Sequence, residues 1–368
     1  MTLPHELSCE PTRRRFLAGA ASAALAACAS PRAALGTDKD ASSPDSQRLS
    51  LDRLRQWESL RYGMFLHFGM STFVGKEIPD GKTPATVYAP DKLDVDQWVC
   101  VARDAGMKYA VLTAKHVAGH CLWPSKHTDY SVANSADKTD VVEAFCKACD
   151  KRGVLPGLYY CSWDNHHRFG SETPSDDGPW SGMNGIPKSP QGKMPPFTTS
   201  LYQTFQTAQI TELLTQYGPI AETWIDIPGV LGRGYRDFLY HHIAALQPRT
   251  VIMMNSGITD AVDYDVAYAW PSDLIAIERG VPKAGFRKRR EIEGKRYYLP
   301  GEVCDPIGKE WFWTSNDPPR SDDSLAAQWR QCRAADVNFL LDVPPDRHGR
   351  IPQEYVAALP RLRKRADV

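Results

Sequence analysis

No surplus charge of either sign marks this chain. Its 44 Lys and Arg balance 44 Asp and Glu over 368 residues, so nothing draws it generally to nucleic acid or anionic lipid. No Gly-rich dinucleotide fingerprint follows any strand-like run, which weakens an open doubly wound sheet. No HExxH motif is present, and Cys146 and Cys149 form a CxxC that lacks a second pair, so no metal or other cofactor is expected. The nine cysteines show no disulfide framework in their spacing, and no internal repeat is visible. The only N-terminal apolar run ends at Ala27 and is too short to span a bilayer.

That run has a different reading. Thr12-Arg13-Arg14-Arg15-Phe16-Leu17 followed by Ala- and Gly-rich sequence resembles a twin-arginine export signal. Leu25-Ala26-Ala27-Cys28 looks like a lipobox, in which Cys28 becomes the lipidated first residue; ordinary cleavage nearby is the rival reading. The expectation is a signal over 1–35, a flexible linker over 36–50 and a catalytic domain over 51–368. The product is either a soluble periplasmic protein or one anchored to the membrane by lipid.

From about residue 51, strand-like and helix-like runs alternate. Strands are expected over 64–69, 109–114, 155–161, 220–226, 250–255, 274–278, 297–303 and 337–343. Helices are expected over 94–105, 141–152, 201–217, 235–246, 324–335 and 353–363. Alternation of this kind argues for a parallel sheet with crossover helices, and eight strands point to a closed (β/α)8 TIM-like barrel. Helices are missing between the fifth and seventh strands, so those units should be irregular. Because little sequence follows the eighth strand, no C-terminal β-sandwich is expected.

In such a barrel, chemistry collects at the C-terminal ends of the strands. His67 lies near the first end, Lys115 and His116 follow the second, and Trp163 and Asp164 follow the third. Asp226 ends the fourth and Glu278 the sixth, while Glu302 falls in the seventh. The stretch over 162–200, rich in Gly, Pro, Ser and Asp, also carries Trp180 and reads as a substrate-covering loop. Two carboxylates on separate strands are what glycoside hydrolysis requires. Asp226, beside Trp224 and ahead of the chain-breaking Pro228-Gly229, fits the nucleophile. Glu278, among apolar neighbours that would raise its pKa, fits the acid/base, with Glu302 as the alternative.

At these residues the chain resembles the α-L-fucosidases of glycoside hydrolase family 29. Gly63-Met64-Phe65-Leu66-His67-Phe68-Gly69 is similar to the family's opening motif. Lys108 to His116, continued by Cys121-Leu122-Trp123-Pro124-Ser125, resembles its second segment. Trp224-Ile225-Asp226 resembles the nucleophile strand, and Asn338 to Asp346 with Gly349 resembles the closing motif. Glu77-Ile78-Pro79-Asp80-Gly81 and Glu278-Arg279-Gly280 look like the branch acting on α-1,3 and α-1,4 fucosides. The resemblance implies a retaining exo-enzyme acting on fucosylated oligosaccharides or glycoconjugates, with Asp226 as nucleophile. It implies sugar contacts from His67, His116 and Trp224, with Glu77 as a further candidate. Trp123, Trp163 and Asp164, near the second and third strand ends, are also candidates for substrate binding. One departure bears on the sugar pocket. The family's K-H-H-D-G-F becomes Lys115-His116-Val117-Ala118-Gly119-His120, so either His120 supplies the missing imidazole or the pocket is altered. A retaining glycosidase of different sugar preference, or a surface protein that binds carbohydrate without cleaving it, are the other readings.

Overall fold

The inward-facing side chains of the barrel step in layers, because alternate residues of a strand face opposite ways. The computed structural model describes residues 47–167, 198–257, 264–282 and 286–366. The expected signal over 1–35, Cys28, nearly all of the linker over 36–50 and Trp180 lie outside the described residues.

Eight strands form one parallel sheet: β1 (Tyr62–Leu66), β2 (Tyr109–Lys115), β3 (Leu155–Cys161), β4 (Glu222–Asp226), β5 (Val251–Met254), β6 (Ile275–Glu278), β9 (Gly301–Pro306) and β10 (Asn338–Asp342). Their order is β5-β4-β3-β2-β1-β10-β9-β6. Helices α1 (Leu51–Glu58), α2 (Met70–Val74), α3 (Val95–Asp104), α4 (Val141–Arg152), α5 (Ser200–Gln216), α6 (Arg233–Leu246), α7 (Val266–Ala269), α8 (Asp322–Ala334) and α9 (Gln353–Ala366) accompany it. The result is a nearly closed (β/α)8 barrel. Strands such as β2 are buried along their whole length because core side chains cover one face and helices the other.

Local signals start and stop these helices. Asp94, Asp140, Thr199 and Ser321 each accept a backbone N–H from the first turn of the helix that follows. Gly153 ends α4 at φ 69°, a left-handed conformation that glycine adopts without penalty.

The expected seventh strand is two elements. Tyr297 and Tyr298 belong to β8 (Lys295–Tyr298), which pairs antiparallel with β7 (Arg289–Ile292) in a hairpin. Glu293 and Gly294 at its turn both have positive φ, 53° and 76°. Pro300 cannot donate to a ladder and separates the hairpin from β9. The hairpin stands where a sixth crossover helix would be, and α7 is a single turn, so the irregularity falls where helices were missing from the sequence.

Among the described residues, β5 and β6 are neighbours without a strand ladder between them. Side chains close the seam. Asp273 Oδ2 accepts from Ile252 N at 2.8 Å, Ser272 Oγ accepts from Met254 N at 3.1 Å, and Asp273 N donates to Ile252 O at 2.8 Å. Asp273 is buried and also pairs with Arg48 and Tyr240. Replacing it leaves several of these partners unsatisfied at once. Asp273→Ala is therefore expected to lower unfolding stability by about 3 kcal/mol. Equilibrium urea unfolding measures this, and a loss under about 1 kcal/mol would mean the seam does not depend on this carboxylate.

Candidate active site

The top layer of the barrel is where the chemistry-bearing side chains meet. Trp224 and Asp226 on β4 face inward two residues apart; on β6 the inward Glu278 pairs in register with Cys304. A cavity of about 220 Å3 opens here, lined among others by His67, Glu77, His116, Tyr159, Trp224, Asp226, Asn255, Tyr268, Glu278 and Trp311.

Asp226 is held by three donors. Tyr159 Oη donates to Oδ2 at 2.6 Å, while Asn255 Nδ2 and the Ile227 backbone N–H donate to Oδ1 at 2.7 and 2.9 Å. The chain turns sharply beyond it. Ile227 adopts a left-handed φ of 51°, which costs a β-branched residue of order 1–3 kcal/mol. Asn255, one residue past β5, is fixed by its N–H to Ile225 O at 2.9 Å. Its amide also reaches Glu278 Oε1 at 2.8 Å. The two carboxyl oxygens are thus no farther apart than those two hydrogen bonds laid end to end. Burial, then the charge of Asp226, push the Glu278 carboxyl up to about 7, while Asn255 and Arg279 pull the other way.

The imidazoles here are neutral near pH 7. Burial lowers His67 to about 3, and its Nδ1 is committed to Asp342 Oδ1 at 2.9 Å, leaving Nε2 for the cavity. Burial also lowers His116 well below its ordinary value; its ring stacks on Tyr159 with centroids 5.5 Å apart. Glu77 is raised by burial and lowered by Arg279.

His67, Glu77, His116, Trp224, Asp226 and Glu278 come together, but five other candidates do not line the cavity. Glu302 pairs in register with Ala276, two residues below Glu278, so it sits in a deeper layer. There it accepts from Tyr109 Oη at 2.6 Å and from Trp224 Nε1 at 3.1 Å, and the Trp224 indole lies between it and the top layer. Burial pushes it up to about 7, as it pushes up the neighbouring Glu222. His120 does not replace an imidazole in the cavity. Gly119, at φ 83°, turns the chain, and His120 Nε2 bonds Ser135 Oγ at 2.8 Å with its ring against Tyr88. Trp123 is core, donating to Glu212 at 2.9 Å. Asp164 is buried in an ion pair with Lys115 at 2.8 Å, and also accepts from the His166 and His167 backbone. Trp163 Nε1 donates to Asn165 at 2.8 Å.

Sequence reasoning missed Tyr159, Asn255, Tyr268 and Trp311. Asn255 had a signal, a lone amide ending the apolar run from Val251 to Met254. Tyr268 sits in the single-turn α7 and Trp311 in the loop after β9, and neither had a signal.

The family model described as alpha-L-fucosidase matches residues 81–364. This chain belongs to that family. An Arabidopsis thaliana relative named alpha-L-fucosidase 1 is 32% identical over 334 residues, covering 86% of this chain and 58% of that protein. A rice relative, named as an alpha-L-fucosidase 1, is 29% identical, covering 83% of this chain and 56% of its own length. The chain thus spans little more than half the length of these curated relatives. Among solved structures, alpha-L-fucosidase isoenzyme 1 from Paenibacillus thiaminolyticus aligns with TM-score 0.67 at 26% identity, covering 84% of this chain and 74% of that one. A Lactobacillus casei family structure matches the fold alike, with TM-score 0.68 at 22% identity over 86% of this chain and 98% of that one.

Because the Asn255 amide lowers the Glu278 pKa, Asn255→Ala should raise it. The alkaline limb of the kcat/KM profile is then expected to move to higher pH, with activity falling about tenfold at the optimum. Turnover followed from pH 5 to 9 checks this. A limb that stays in place or moves down would contradict the assigned hydrogen bond.

Proposed function

We propose that the protein is a retaining exo-α-L-fucosidase that removes terminal α-L-fucosyl residues from oligosaccharides or glycoconjugates. The observation that carries the reading is the Asn255 bridge between Asp226 and Glu278, whose spacing suits a retaining pair at about 5–5.5 Å. Family membership and the names of the relatives supply the sugar.

An Asp226 carboxylate oxygen attacks the anomeric carbon, and the bond to the leaving oxygen breaks. Glu278, which the raised pKa keeps substantially protonated up to about neutral pH, gives its proton to that oxygen. Water then attacks the same carbon and returns a proton to Glu278, and the bond to Asp226 breaks. The sugar leaves with its original anomeric configuration. His67, His116 and Trp224 hold the glycone, with Glu77 a further hydrogen-bonding group. Neutral imidazoles suit a neutral sugar, since they can donate or accept without bringing a charge to be desolvated.

Asp226→Ala is expected to cut kcat/KM on 4-nitrophenyl α-L-fucoside by about 10³-fold or more, with azide restoring part of it as the inverted β-fucosyl azide. Glu278→Ala should lose less on this activated leaving group, and azide should give the α-azide. Product configuration by NMR separates the roles, and full turnover by either variant would remove its assignment. Wild-type activity should fall as pH rises through about 7, where Glu278 loses its proton.

Export and lipid attachment at Cys28 are proposed from the sequence of residues 12–28 alone. No helix among the described residues is long and apolar enough to cross a membrane. In a bacterial host with twin-arginine export, Cys28→Ala should move the protein from the membrane pellet to the soluble fraction; an unchanged partition would contradict lipidation.

A further inference from the structure

We propose that Arg279 forms the cationic edge of an aglycone subsite that favours fucosides whose adjoining sugar carries an anionic group, a carboxylate or a sulfate ester. The proposal rests on the fucosidase reading above.

The leaving oxygen takes its proton from Glu278, so the aglycone departs past that carboxyl, and the side chain next along the chain borders its path. That side chain is Arg279, exposed to solvent. Its guanidinium lies over the Trp311 ring, 4.7 Å from the centroid, and Trp311 lines the cavity. Nη1 donates to Lys309 O at 2.7 Å, which fixes the fork at the rim. Among the described residues it has no carboxylate partner, so the other guanidinium N–H groups remain for a ligand. A stacked, tethered arginine loses little freedom on binding a carboxylate or sulfate bidentately.

The backbone adds an independent observation. Arg279 sits at φ 50°, where glycine or asparagine would be comfortable and a long side chain is strained. The conformation is held by its own N–H, which donates to Cys304 O at 3.0 Å. A strained residue beside the acid/base is well explained if its side chain has work to do there. Its charge reaches into the cavity, lowering both Glu77 and Glu278. The opposing charge on the rim is Glu310, exposed and close enough to raise Glu77.

The test compares fucosyl oligosaccharides matched in linkage, one neutral, one carboxylated and one sulfated on the sugar bearing fucose, with 4-nitrophenyl α-L-fucoside as reference. The wild type should show kcat/KM about five- to tenfold higher for an acidic than for the neutral oligosaccharide at low salt. The preference should shrink toward unity in about 0.5 M NaCl. Arg279→Gln should bring the ratio near one, Arg279→Lys should keep part of it, and Glu310→Gln should increase it. Preference for only one acid would name the source of the charge. Equal rates in the wild type, or a ratio unchanged in Arg279→Gln, would overturn the proposal. Failure of the wild type to cleave even 4-nitrophenyl α-L-fucoside would instead sink the fucosidase reading.

Discussion

One side-chain amide ties the site together. Asn255 spans from Asp226 to Glu278, and its own backbone is pinned to β4 through Ile225. The two carboxyl groups stand on opposite sides of β5, and the β5–β6 side of that arrangement is the seam without a strand ladder. The distance between them therefore depends on Asp273 and Ser272, which replace the missing ladder a few residues below. A buried ion pair at the bottom of the seam and a bridging amide at its top serve the same geometry.

The electrostatics follow from depth. Burial makes both cavity imidazoles neutral and keeps a proton on Glu278 up to about neutral pH. The same physics acts on Glu302, one layer deeper, and raises it comparably. A raised carboxyl is thus no mark of catalysis by itself. What separates Glu278 from Glu302 is access: the first lines the cavity, while the second is sealed beneath Trp224 and satisfied by Tyr109.

The altered segment after β2 is a matter of backbone rather than of side-chain supply. A Cβ on Gly119 would come within 2.4 Å of Asp164 Oδ1, so the turn packs directly on the Lys115–Asp164 pair. His120 leaves that turn facing Tyr88 and Tyr130. The cavity keeps His116 from this segment and surrounds it with Tyr159 and Phe312.

The barrel was legible because its strands are short apolar runs ended by polar residues and its helices carry capping signals. Each of these is local in sequence. Asp226, Glu278, His67 and His116 were legible for the same reason, as polar groups where apolar runs stop. The sequence alone determined which residues end the strands. It could not determine which layer an inward side chain occupies, since that depends on the register between strands far apart in the chain. Register placed Glu302 below Trp224 and Glu278 above it. Asn255 was visible only as a lone amide ending an apolar run; that it bridges two carboxyl groups, and that Trp311 reaches the same cavity, was decided by tertiary packing, because the partners lie on other strands and in a loop far away in the chain.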